Sequence, residues 1–325
     1  AEWNSKYFAL IFRSSLLQCS LPKKWKIAKV IPIPKRGSSD NVTNYWPVSI
    51  IRICSKLLEN IISKHLLNYM REHNILSNCQ HGFRQGLSTT SQLIELVHDL
   101  SKNINSNAQI DMIFIDFAKA FDKASHSKLL WKIIVTFQNI TITKWFSSYF
   151  KSRQHFVEIN GTKSHVSAVK SGVPQGSVLA PLLFFLFINE LLNEIGVSIR
   201  LFADDCIIYN KVDTISDQIK LLENLQKIIK WCDKWQMVLN PLNTVVITVT
   251  RKKNYLNYTY YIDNHELKRV EQHKYPGLNF TSDLRWNHHI DYVCAKATRA
   301  LWSLGRHLPF ATQLNVQLTK HLLDQ

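Results

Sequence analysis

Acidic residues are scarce in this chain: 24 aspartates and glutamates stand against 40 lysines and arginines, a formal charge of +16. An imbalance of that size points to a polyanionic partner, of which nucleic acid is the commonest. The excess is concentrated early, with twelve basic and four acidic residues among the first 75. Paired cysteines are missing as well. None of Cys19, Cys54, Cys79, Cys206, Cys232 and Cys294 falls in a Cys-x-x-Cys pair or a Cys/His zinc spacing. That speaks against a zinc module and leaves buried thiols of a reducing compartment. Long apolar runs are lacking. The most apolar one, Val178 to Ile188, has eleven residues and contains Pro181. It is too short to span a bilayer and reads as a buried helix, with no membrane partner. No signal peptide, internal repeat or low-complexity segment is visible.

Core material is plentiful. The 325 residues are 46% hydrophobic, which allows two or three subdomains. The sequence opens at Ala1 and stops inside a helical pattern, so a piece of a longer product is expected.

Periodicity supplies the elements. Residues 21–36, with lysines and apolar residues around three prolines, read as an edge strand and a basic loop. Ser55 to Arg71 has helical spacing with Ser55 as its cap, and Thr90 to Lys102 is a second helix. A strand over 112–117, a helix near Ser127–Ile134 and a hairpin around Asn160-Gly161 follow. Ile215 to Trp235 forms a long amphipathic helix, Val245 to Thr250 a strand, and the chain is helical again from about His288. The order predicts an α+β fold, an antiparallel sheet with helices packed on one face.

Two stretches carry chemistry. Phe202-Ala203-Asp204-Asp205 lies between two apolar runs and reads as a tight turn with two carboxylates at its tip. Met112 to Phe117 is an apolar strand, buried on both faces, that ends in Asp116. A lone turn aspartate commonly satisfies its own backbone. Two strands that end in aspartates side by side make a site for hard divalent ions, which activate a hydroxyl and stabilise a leaving phosphate oxygen.

Four ordered segments make the pattern specific. Gln80-His81-Gly82-Phe83-Arg84 is followed by Asp116-Phe117-Ala118-Lys119-Ala120-Phe121-Asp122, by Ser171-Gly172-Val173-Pro174-Gln175-Gly176-Ser177, and by Phe202-Ala203-Asp204-Asp205. Together with Trp286-Asn287-His288-His289-Ile290, they closely resemble the reverse transcriptases of non-LTR (LINE-type) retrotransposons. The resemblance runs from about Lys26 to Ile290 and implies a right-hand polymerase. Residues 1–109 would be fingers with an N-terminal extension, 110–280 palm with an insert at about 123–155, and 281–325 the start of a helical thumb. It implies an RNA-directed DNA polymerase that adds dNTPs to a DNA primer on an RNA template. Asp116, Asp204 and Asp205 would be catalytic and would hold two Mg²⁺, with Mn²⁺ as a substitute. Intracellular action, nuclear with a cytoplasmic ribonucleoprotein stage, goes with this reading.

By the same resemblance Phe117 and Phe121 would face the incoming nucleotide, the Phe121 ring excluding a 2′ hydroxyl. Gln175 and Gly176 would form the loop under the nascent base pair. Lys35, Arg36 and Arg84 are candidates for triphosphate and template backbone, with solvated surface charge as the alternative for each. His81, His288 and His289 read as packing or surface residues.

Four positions depart from the family pattern. Trp46 stands where an arginine meets the triphosphate, and an indole lacks that fork of donors. Asn243 stands where lysine is usual, Pro276 replaces an apolar strand residue, and Ala180 replaces glycine. Two alternatives therefore stay open: a catalytically inactive relic that at most binds nucleic acid, and a group II intron maturase-like enzyme. The spelling of the motifs favours the LINE type, and Phe121 argues against an RNA-copying RNA polymerase.

Overall fold

In the computed structural model, which describes residues 2–35 and 40–307, the first sheet follows helix α1 (Glu2–Leu17). Strands β1 (Ile27–Pro34) and β2 (Tyr45–Ile50) pair antiparallel, with Ile33 opposite Trp46. The basic segment is thus not an edge strand. Its other side pairs in parallel with β4 (Gln154–Ile159), but only from Ile27 to Val30. Pro32 and Pro34 lie beyond that pairing, where no second neighbour asks for a donor. β4 also turns through Asn160 and Gly161, at φ 48° and 83°, into β5 (Thr162–Lys163), the predicted hairpin. It also pairs with β6 (Ser167–Ala168).

Between these strands run α2 (Ile53–Glu72) and α3 (Thr89–Asn105). Ser55 does not cap α2: it lies inside the helix and donates to Glu59 Oε1 at 3.1 Å. α3 starts on Ser88, which exchanges a capping box with Ser91. β3 (Gln109–Ile115) follows, then the short α4 (Ala120–Lys123), α5 (His126–Phe137) and α6 (Ile140–Phe150). α7 (Leu179–Ile188) is apolar all round and buried except at the half-buried Pro181, the buried helix expected here. Glu59 Oε2 accepts from Val178 N at 2.9 Å, so a buried carboxylate seats the start of α7.

After α8 (Leu191–Glu194) come β7 (Ser198–Phe202), β8 (Asp205–Val212), α9 (Ile215–Trp235) and β9 (Val245–Thr250). Two small pairs complete the order: β10 (Tyr261–Ile262) with β11 (His265–Glu266), and, after β12 (Lys268–Arg269), β13 (Gln272–Tyr275) with β14 (Leu278–Thr281). α10 (Asn287–His307) is the helix expected near His288. Pro276 and Gly277 (φ 84°) form the β13–β14 turn, so Pro276 breaks no strand pairing there.

The second sheet has the order β12-β9-β3-β8-β7. Alternation along β3 sorts its two faces. Ile113 and Ile115 face the large core with Leu183, Phe187, Leu225 and Trp231, from α7 and α9. Ile110, Met112 and Phe114 face Leu96, Leu100 and Ile104 of α3, with Tyr275 and Phe280 of β13–β14. Helices therefore cover both faces, not one, because every residue of β3 is buried and each face needs an apolar partner. The register of β3 on β8 ends at Ile115 opposite Cys206, one step before the acids.

Candidate active site

Asp116 follows that last pair on β3 and Asp205 precedes it on β8, and the two line one cavity. Asp204 is delivered by a two-residue turn closed by the Phe202–Asp205 pair. Ala203 sits at φ 58°, a left-handed backbone that turns the strand sharply enough to keep Asp204 at the tip.

Asp116 is held from the side. Its Oδ2 accepts from Asn240 Nδ2 and Asn243 Nδ2, each at 2.9 Å, and its carbonyl accepts from Asn240 N at 2.8 Å. Asn243, read as a departure, is here a donor to Asp116. The other acid of β3, Asp111, shows the contrast. It is buried and accepts from Gln109, Gln218, Thr248 and Tyr260, with Arg269 at 3.7 Å. Asp111 is a structural joint on the opposite face. Among the described residues, by contrast, no ion pair reaches Asp116, Asp204 or Asp205.

Crowding shows in the electrostatics. Desolvation, then Asp204 and Asp116 nearby, push the Asp205 carboxyl up to about 7. Desolvation and Asp116 raise Asp204 as well, although its own backbone amide opposes this. An acid raised in the fold binds its proton more tightly folded than unfolded, so stability falls as pH rises from about 4 through about 7. In thermal melts with a chelator at pH 8, Asp205→Asn is expected to melt about 2 °C above the wild type, the gap closing as pH falls to about 4. Added Mg²⁺ should raise the wild type alone. Equal melting at both pH values would show that Asp205 is not under this strain.

Two cavities meet at Asp116. One, of about 1200 Å³, is lined by Asp116, Asp204, Phe121, Gln175, Lys35 and Trp46, among others. The other, of about 490 Å³, is lined by Asp116, Asp205, His273, Lys274 and Tyr275, among others. The acids thus stand on a ridge between two clefts, each large enough for a nucleotide-sized ligand.

The remaining predicted residues divide. Phe117 is buried beside Asp116 and bridges to Leu239, while still lining the larger cavity. Phe121 stacks on Phe184 with ring centres 4.4 Å apart. Gln175 Nε2 donates to Asp122 Oδ1 at 2.8 Å, and its carbonyl accepts from Ser49 N at 2.6 Å. Gly176 has φ 109°, and a Cβ there would lie 2.5 Å from Ser49 O, so the loop's contact with β2 needs glycine. Lys35 lines the larger cavity with Nζ 6.0 Å from the Trp46 ring centre. Arg36 lies outside the described residues. Arg84 stands apart: its guanidinium donates to Ser77 O at 2.7 Å and Gln80 O at 3.3 Å. His81 is buried against Ser91, as a packing residue should be. Ala180 is buried within α7. Sequence reasoning gave no role to Asn240 or Gln80. Their contacts join residues more than a hundred positions apart, which no local pattern reports.

The donor set suits a hard cation. Carboxylate oxygens from two strands face open clefts with no ion pair among the described residues, the chemistry that Mg²⁺ completes with phosphate oxygens and water. Among the described residues no three acid, imidazole or thiol groups close on one point by themselves. Substrate oxygens would supply the missing ligands.

The sequence pattern of the family described as reverse transcriptase (RNA-dependent DNA polymerase) matches residues 33–280. The chain belongs to that family, whose members generally use divalent metal ions. It is 29% identical over 315 residues to the probable RNA-directed DNA polymerase from transposon BS of Drosophila melanogaster, covering 92% of this chain and 35% of that protein. It is 26% identical over 334 residues to the RNA-directed DNA polymerase from mobile element jockey of the same species, covering 98% of this chain and 36% of that one. The chain spans about a third of the length of these relatives. Among solved structures, telomerase from Candida Tropicalis in complex with a fragment of telomeric RNA superposes with a TM-score of 0.56 at 14% identity, over 87% of this chain and 48% of that one. Apo telomerase truncated from its C-terminal domain gives 0.53 at 13% identity, over 82% and 55%. These likenesses establish a shared right-hand fold. Among the described residues no helix is long and apolar enough to cross a membrane.

Proposed function

We propose that this chain is the polymerising part of a non-LTR retrotransposon protein, an RNA-directed DNA polymerase that extends a DNA primer with dNTPs on an RNA template. The observation that carries it is the ridge of Asp116, Asp204 and Asp205, without an ion pair among the described residues of a basic chain and open to a cleft on either side. In this reading residues 1–109 are fingers, 110–280 palm and 281–325 the start of the thumb. The larger cleft takes the dNTP, with Lys35 and Trp46 on its fingers wall. The smaller one, walled by β13, takes the primer end. Asp116 and Asp204, with Asp205 in support, would hold two Mg²⁺ ions, which supply charge neutralisation for phosphoryl transfer. Asn240 and Asn243 keep Asp116 turned to the cleft. Phe121 sets the floor under the sugar, and Gln175 fixes the loop beside it through Asp122. Action in the nucleus after a cytoplasmic ribonucleoprotein stage belongs to the same proposal.

Primer extension on poly(rA)/oligo(dT) with Mg²⁺ tests it. Incorporation of dTTP that stops with a chelator supports the reading, and none above background sinks it. Trp46 favours a second reading, a palm that binds nucleic acid without synthesis, because an indole replaces a cation in the nucleotide cleft. Binding that survives loss of Asp116, without any incorporation, would select it. If the polymerase reading holds, Trp46→Arg is expected to raise kcat/KM for dTTP about tenfold through bidentate phosphate contacts. No gain would mean that Lys35 already serves the triphosphate.

A further inference from the structure

Resting on the polymerase reading, we propose that Gln80 is a positioning residue that clamps the turn bearing Asp204 and Asp205, and that residues 80–84 act as its buttress. The Gln80 side chain is buried, at 2% exposure, against Ala203, 123 positions further along the chain. Its Oε1 accepts from Ala203 N at 3.1 Å, and its Nε2 donates to Ala203 O at 3.2 Å. One amide thus takes up both polar groups of the residue that precedes Asp204. Only Asn and Gln combine a donor and an acceptor in that fork. The same Oε1 accepts from Gly82 N at 2.9 Å, which locks the Gln80 rotamer to its own backbone.

The backbone around Gln80 does the same work as a strand. Gln80 bridges in parallel to Leu201, Leu201 N donates to Cys79 O at 2.8 Å, and His81 N donates to Leu201 O at 3.0 Å. β7 therefore has a neighbour on its outer side at the point where it enters the turn. Gly82 completes the fit: a Cβ there would stand 2.4 Å from Ala203 N. Arg84 braces the segment from behind through the Ser77 and Gln80 carbonyls. Arg84, a candidate for phosphate by its charge, thus turns Nη1 inward to this segment.

The turn needs such a brace. Ala203 holds a left-handed backbone at φ 58° that a residue with a Cβ adopts at a cost. Asp204 and Asp205 are adjacent carboxylates at the hairpin tip, and Asp116 lines a cavity with each of them, so like charge there favours opening the turn. The Phe202–Asp205 pair closes the turn from within, and the clamp holds it from outside. The clamp fixes the Ala203 peptide plane, and with it the direction from which Asp204 enters the cleft.

Three readouts on the full chain test this, in Gln80→Met, which removes both contacts at similar volume, and Gln80→Glu, which keeps an acceptor and loses the donor. Deuterium uptake of the peptide spanning residues 199–206 should quicken about tenfold in Gln80→Met while peptides from α7 are unchanged. Mn²⁺ affinity, followed by electron paramagnetic resonance without nucleotide, should weaken about tenfold. The turnover number should fall about tenfold to a hundredfold, with KM for dTTP within about threefold. Gln80→Glu should show each effect in smaller measure and decides the matter if Gln80→Met does not fold. Unchanged Mn²⁺ affinity and exchange in the folded variant, with a lower melting temperature alone, would overturn the proposal. Absence of incorporation by the wild type defeats the polymerase reading instead, because exchange and Mn²⁺ binding report on Gln80 without it.

Discussion

Asp204→Asn is expected to cut dTTP incorporation on poly(rA)/oligo(dT) by about a thousandfold, with the melting temperature equal to or above that of the wild type. The reasoning is electrostatic. Phosphoryl transfer asks the protein mainly to place charge and orient oxygens. Asparagine keeps the size of the side chain and one acceptor oxygen but removes the negative charge. No other acid replaces it: Asp205 lines the opposite cleft, Asp122 accepts from Gln175, and Asp111 lies buried on the far face. Stability should move the other way, because burial, with Asp116 nearby, holds the Asp204 carboxyl above its ordinary range. Loss of activity with a retained or raised melting point separates a catalytic carboxylate from a structural one. A variant that keeps a tenth of the wild-type rate would place the chemistry elsewhere.

Phe121→Val is expected to raise the ratio of kcat/KM for ribonucleotide over deoxyribonucleotide about a hundredfold, chiefly through the ribonucleotide. The ring cannot swing aside. It stacks on Phe184, which is fully buried, and its carbonyl accepts from Val173 N at 2.8 Å. Phe121 lines the same cavity as Asp116 and Asp204, so a sugar whose phosphates reach those acids meets a fixed wall. The 2′ hydroxyl is the atom by which the two substrates differ. Valine lowers the wall and keeps apolar contact with Phe184. Competitive incorporation of rUTP and dTTP measures the ratio. An unchanged ratio, with both rates lowered alike, would make Phe121 a packing residue.

Much of this was legible because it is local. The run from Met112 to Ile115 is apolar throughout, and a strand of that kind is buried on both faces. Ile215 to Trp235 repeats at three and four residues and forms α9. Asn160-Gly161 has the backbone freedom that a tight hairpin needs, and the turn sits there. Errors fell where a neighbour distant in sequence decided the outcome. Prolines argued for an edge strand at 21–36, but β4 pairs with only the first half of β1. Ser55 had the chemistry of a cap, but Glu59 claims its hydroxyl from within the helix.

By itself the sequence determined the chemistry: which side chains are acids, that they end apolar strands or occupy a tight turn, and that the chain around them is basic. Covalent order and short-range periodicity are enough for that. Only the tertiary structure decided that Asp116 and Asp205 line one cavity, that Asn240 and Asn243 share one oxygen of Asp116, and that Gln80 holds Ala203. Register between strands is set by packing both sheet faces at once. That condition joins residues a hundred positions apart, and no window of sequence contains it.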